Sequence, residues 1–167
     1  MELNIKSILF ASGLGPRTGY VLDHALSLAR KYQAKVHVVH GFDIMKSSAQ
    51  STGELYLSQS ELEDSIENSL REEESHIRGQ LQNVIHERLV KLKADESLIA
   101  SIDIERKPAK QAILDAAAQY RADVIVMGAQ RHPGLGEPRL GSTTMKVLTR
   151  ATVPVFVVKG GAARVTP

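Results

Sequence analysis

Five short apolar runs punctuate the chain, and between them apolar positions recur every three or four residues. The runs are "KSILFA" (Lys6 to Ala11), "KVHVVH" (Lys35 to His40), "LIASIDIER" (Leu98 to Arg106), "DVIVMG" (Asp123 to Gly128) and "VPVFVV" (Val153 to Val158). Runs of this length, bounded by turn residues, read as short buried strands. A helix is predicted from about Pro16 to Tyr32, because Tyr20, Val21, Ala25, Leu28 and Ala29 then share a face. "PAKQAILDAAAQY" (Pro108 to Tyr120) reads as a helix with proline in its first turn. Ser142 to Arg150 reads as another, with Ser142 as its natural N-cap.

A longer helical period runs from about Glu61 to Lys93 through Leu62, Ile66, Leu70, Ile77, Leu81, Val84, Ile85, Leu89 and Leu92. Such a helix is about 50 Å long, more than a small domain covers. A break or bend near Gly79, or an end projecting past the body, is therefore expected. Phe42 to Ser60 has no clear period and many Ser and Gln, which predicts a mobile loop.

Strands and helices thus alternate throughout. The economical solution is an α/β fold, an open five-stranded parallel sheet with helices on both faces, Rossmann-like in kind. In such sheets ligands sit beyond the carboxyl ends of the strands, where the strand order switches. The turns after the first and fourth strands lie at that edge. One domain over 1–160 is expected, with a loose tail over 161–167.

Composition narrows the chemistry. The 167 residues include no cysteine, which excludes thiol catalysis, Cys-ligated zinc and iron–sulfur centres. The N-terminus carries an acid and a lysine ahead of a strand-like run, with no leader signature, and no window reaches the length of a membrane span. A soluble, cytoplasmic protein with no membrane partner is expected. The net charge of +2 and the absence of Trp argue against a nucleic-acid partner. Charge is nevertheless uneven. Glu54 to Glu74 holds eight acids and one base, whereas Arg121 to Pro167 holds seven Lys or Arg and two acids.

The basic end coincides with "GAQRHPGLGEPRLGST", from Gly128 to Thr143. Glycines there let backbone N–H groups approach phosphate oxygens, and the helix that follows offers its positive N-terminus. Ser142 and Thr143 supply hydroxyls, and Arg131, His132 and Arg139 supply charge. On spacing alone, a loop merely shaped by Gly and Pro is the slightly favoured reading. Other signals are weaker. Gly13 and Gly15 begin a G-x-G-x-x-G pattern, but Thr18 stands at its third glycine. The six histidines show no metal spacing; His37, within a strand pattern, reads as packed or paired, and only His132 falls in a candidate site. No Ser/His/Asp constellation is defensible, and "REEES" reads as a solvated helix face.

The stretches "ILFASGL", "ALSLARKYQAKVHVVH", "ADVIVMGA", the Gly128-to-Ser142 loop and "VLTRATVPVFVVK" resemble a universal stress protein of the UspA type over nearly the whole chain. The ATP-binding branch of that family carries Gly, two residues, Gly, nine residues, Gly, then Ser or Thr. Gly128, Gly141 and Ser142 match the first and last positions, and Arg131 stands at the second glycine. The family's Asp after the first strand is Gly13, and its adenine-side Val after the second strand's His is Gly41. The resemblance implies a stress-response regulatory protein binding an adenine nucleotide, ATP or AMP, weakly, with Mg²⁺ if a triphosphate is held. The implied site comprises Ser12, Gly13, Gly41, Met127, Gly128, Arg131, His132, Gly141, Ser142 and Thr143. It also implies a homodimer, paired through the Val153–Val158 strand. The alternatives are a nucleotide-free dimeric interaction protein and a slow ATP hydrolase.

Overall fold

In a computed structural model of the chain, residues 1–47, 57–129 and 140–160 are described. They form β1 (Ser7–Ala11), α1 (Thr18–Tyr32), β2 (Lys35–Gly41), a single turn α2 (Ile44–Ser47), α3 (Gln59–Leu92), β3 (Ile99–Glu105), α4 (Ala109–Gln119), β4 (Val124–Gly128), α5 (Ser142–Arg150) and β5 (Val155–Val158). The strands make one parallel sheet in the order β3-β2-β1-β4-β5. The order reverses between β1 and β4, so the expected switch point lies beyond the ends of those two strands.

Strict alternation within the strands builds two cores. Ile8, Phe10, Val36, Val38, Val124, Val126 and Val158 face α1 and α3. Leu9, Ala11, Val39, Ile125 and Met127 face α4 and α5. Both faces are covered, which is why the strands read as unbroken apolar runs rather than alternating ones. The start of β1 is tied to β4 by one carboxylate: Asp123 Oδ2 accepts from the amides of Lys6 and Ser7 at 2.8 and 2.9 Å.

Two expectations need correction. The long helix α3 is continuous for 34 residues, about 51 Å at 1.5 Å per residue, and passes through Gly79 without a break. A capping box starts it, with Ser58 and Glu61 satisfying each other's backbone amides. Leu70, Ile77, Leu81, Ile85 and Leu89 form its buried stripe, Ile66 is half-buried against the same core, and Gln59 to Glu61 at its start are exposed. Phe42 to Ser47 is not the loop predicted. Phe42 is buried, its amide donates to Glu105 O at 2.9 Å, and Ile44 packs on the same core. One buried aromatic and one half-buried isoleucine are too few to register as a period. The end of the predicted loop is not loop either, because Ser58 caps α3 and Gln59 and Ser60 are its first residues; residues 48–56 of it, and the tail, 161–167, lie outside the described residues.

The two sheet edges differ. At β3, Arg78 of α3 donates to Ile102 O at 2.8 Å, and Arg106 is held by Glu67 and Glu74 of the same helix. Bidentate pairing to Glu67 (2.8 and 3.1 Å), with Arg71 adding a further bond, lowers the Glu67 carboxyl to about 2. At β5 the neighbouring side chains are aromatic: Phe156 is exposed and lies beside His24, which meets Tyr20 edge-on.

Candidate functional site

The site is assembled from four chain segments at the carboxyl edge of the sheet. After β1, the Ser12 amide continues the ladder to Val39 O at 2.9 Å. The chain then turns, and the Gly13 carbonyl accepts from Ser12 Oγ (2.6 Å) and from Thr18 Oγ1 (3.0 Å). The Ser12 hydroxyl therefore serves the turn in this arrangement. Thr18, buried at the start of α1, is a holding residue that sequence reasoning passed over. A Cβ built on Gly13 meets nothing closer than 4.0 Å, so the place of the expected Asp is open.

At the end of β2 the opposite holds. A Cβ on Gly41 would lie 2.8 Å from Lys107 O, 2.8 Å from Ala112 Cβ and 2.9 Å from Ala109 Cα. The first turn of α4 occupies the space that an adenine-side valine would fill. Gly41 is thus the consequence of a helix packed against the strand, rather than simply the loss of an apolar contact. The neighbouring His40 sends Nδ1 to Ser12 O at 2.8 Å. Burial pushes the His40 imidazole below its usual pKa, against the raising effects of the Ser12 carbonyl and Glu73.

After β4, Met127 is buried in the second core, so its side chain faces α4 and α5. The Gly128 carbonyl accepts from Thr144 Oγ1 at 3.1 Å, and Thr144 is fully buried. This bond fastens the first turn of α5 to the end of β4. Its sequence signal was the "STT" that opens α5, of which only the first two residues suggested a ligand. Arg131, His132 and the rest of 130–139 lie outside the described residues. Gly141, not Ser142, is the N-cap of α5. Gly141 has extended backbone (φ −63°, ψ 157°) and no capping side chain. Ser142 is the first helical residue and is exposed; Thr143 is half-buried. Among the described residues no side-chain oxygen caps the first-turn amides of α5. With the helix dipole, that makes a place for an anion.

The structure thus brings Ser12, Gly13, Gly128, Gly141, Ser142 and Thr143 to one sheet edge, and closes the Gly41 side with α4. The same fold makes a polar group that the sequence had argued against. His37 Nδ1 lies 2.9 Å from Ser101 Oγ, which donates to Asp103 Oδ2 at 3.0 Å. Tyr120 donates to the same oxygen at 2.6 Å and stacks on His37 at 3.9 Å. The serine stands between the imidazole and the carboxylate, so its proton is directed to Asp103 and the order required of a catalytic triad is not met. His37 is paired and packed, as its strand position suggested. Among the described residues no helix is long and apolar enough to cross a membrane.

Comparison with known proteins matches residues 4–159 to the model of the Universal stress protein family. A curated relative, Universal stress protein YxiE of Bacillus subtilis, is 30% identical over 139 residues, covering 83% of this chain and 88% of its own. Universal stress protein MJ0577 of Methanocaldococcus jannaschii is 24% identical over 166 residues, covering 95% and 98%. The solved structure of MJ0577 superposes with a TM-score of 0.70 at 22% identity, covering 96% of this chain and all of that one. A universal stress protein solved in complex with cAMP superposes with a TM-score of 0.63 at 15% identity, covering 94% and 98%.

Proposed function

The chain belongs to the universal stress protein family, and we propose that it is a stress-response regulator that binds an adenine nucleotide by its phosphates. The observation that carries this reading is the α5 N-terminus. Its N-cap is a glycine with no capping side chain, and Thr144 anchors it to the switch-point strand. Phosphate oxygens accept from the first-turn amides there, with Ser142 and Thr143 adding hydroxyls and Arg131 adding charge. The cAMP held by a structural neighbour supports a nucleotide as ligand class. ATP or AMP is the proposed form, with Mg²⁺ accompanying a triphosphate. The nucleoside half is held less well, because Gly13 and Gly41 offer no side chain and α4 closes the Gly41 side. The proposed role is binding, in the cytoplasm, without catalytic turnover.

The responding unit is proposed to be a homodimer paired through β5. The β3 edge is covered by Arg78 and the Arg106 cluster, whereas the β5 edge carries the exposed Phe156 beside Tyr20 and His24. An edge that carries an exposed aromatic rather than a clasp of ion pairs is the one proposed to pair.

The test is mass spectrometry of nucleotide released from the purified protein, with calorimetry of ATP, AMP and adenosine. ATP is expected to bind more tightly than adenosine, with affinity falling as salt rises. No released nucleotide, and no heat at millimolar ATP, refutes the reading in favour of a nucleotide-free interaction protein.

A further inference from the structure

The parallel ladder between β1 and β2 ends in an unusual rung. Main-chain bonding continues one residue past β1, where the Ser12 amide donates to Val39 O. The Ser12 carbonyl then accepts from a side chain, His40 Nδ1, at 2.8 Å. A carbonyl only accepts, so Nδ1 carries the proton, which fixes the tautomer of the neutral ring. His40 is thus bonded to the residue that begins the turn at Gly13, and that turn follows β1 at the switch in strand order. His40 is partly buried, and of the groups on the neighbouring α3, Glu73 is close enough to act on it.

We propose that His40 is the positioning residue of the nucleotide site, holding the Ser12–Gly13 turn in its binding geometry through the Nδ1–H bond to the Ser12 carbonyl. It touches no ligand itself. A side-chain rung ties the turn to β2 while sparing β1 a further main-chain rung. Truncating it frees the turn without removing any ligand contact. The proposal rests on the nucleotide reading of the site, and a measurement on the unliganded turn separates the two.

Three variants decide it. His40→Ala removes the donor and the ring. His40→Phe keeps a ring and removes the donor. His40→Asn places an amide N–H close to where Nδ1 stands. In amide-resolved NMR without nucleotide, His40→Ala and His40→Phe are expected to shift the Ser12 and Gly13 amides and to speed their exchange, and His40→Asn to restore both. In wild type those amides should follow the titration of the His40 ring. In calorimetry the Ala and Phe variants are expected to bind ATP about tenfold more weakly, ~1.4 kcal/mol, with Asn recovering most of the loss. Wild type that binds ATP, with the Ser12 and Gly13 amides and the affinity unmoved in the Ala and Phe variants, overturns the role given to His40. Weaker binding that Asn fails to rescue, with the turn unmoved, overturns it as well. Wild type that binds no nucleotide refutes the functional reading, and the positioning role falls with it, even where the turn amides respond to His40.

Discussion

Substituting Gly41 by alanine tests whether α4 closes one side of the crevice. The added Cβ would sit 2.8 Å from Lys107 O and Ala112 Cβ and 2.9 Å from Ala109 Cα. Ordinary contact begins at 3.4 Å, so α4 must retreat by about 0.6 Å. None of the three atoms is the end of a flexible side chain, and Ala112, Ile113 and Ala116 are buried against the sheet, so the helix cannot yield at one residue only. Overpacking of this kind costs about 1–3 kcal/mol. Losing a glycine from a strand returns roughly 0.5–1 kcal/mol through the unfolded chain. A net loss of about 0–2.5 kcal/mol, centred on about 1 kcal/mol, is expected, a fall in Tm of up to roughly 10 °C. Gly13→Ala is the control, since its Cβ meets nothing closer than 4.0 Å, and it should stay within about 0.5 kcal/mol of wild type. Urea and thermal denaturation followed by circular dichroism measure both. If Gly41→Ala is as stable as wild type, the α4 contact does not explain the glycine and the closed-side argument fails.

Gly13→Asp should be tolerated, because a Cβ there meets nothing closer than 4.0 Å, and on the proposed nucleoside role of that position it should tighten adenosine binding more than phosphate binding; calorimetry showing no gain for adenosine would count against that role. Phe156→Asp should convert a dimer into a monomer in light scattering at tens of micromolar, and a mass unchanged from wild type would send the interface elsewhere. Acid should weaken the fold in two stages. His37 and His40 are lowered by burial, so their contribution is complete above about pH 6.5 and fades as pH falls below it. Glu67, lowered to about 2 by Arg106 and Arg71, contributes fully above about 4.5 and loses that contribution between 4.5 and 2. Arg106→Gln should flatten the second stage in pH-dependent denaturation, and an unchanged slope there would remove Glu67 from the account.

The alternation of strands and helices was legible from the chain alone, because burial on both faces of a parallel sheet leaves short continuous apolar runs, bounded by turn residues, between the helical periods. The runs at Lys6–Ala11 and Asp123–Gly128 predicted β1 and β4 to within two residues at either end, and Gly128, Gly141 and Ser142 are the positions proposed for the phosphate side. Local chemistry misled where two residues competed for one role. Ser142 has the better capping side chain, yet Gly141 takes the cap, because Thr144 is drawn to the Gly128 carbonyl and sets where the helix begins. Gly79 suggested a break, but its side-chain direction is open and the buried stripe on either side keeps the helix whole. Pairings across distant positions were illegible. That Gly41 lacks a Cβ because Lys107, Ala109 and Ala112 press on it, that His40 reaches Ser12, and that His37, Ser101, Asp103 and Tyr120 share one hydrogen-bonded group are consequences of strand order and register. Periodicity reports which face of an element is apolar. Only the tertiary fold decides what that face meets, because contact depends on distances between segments that are remote along the chain.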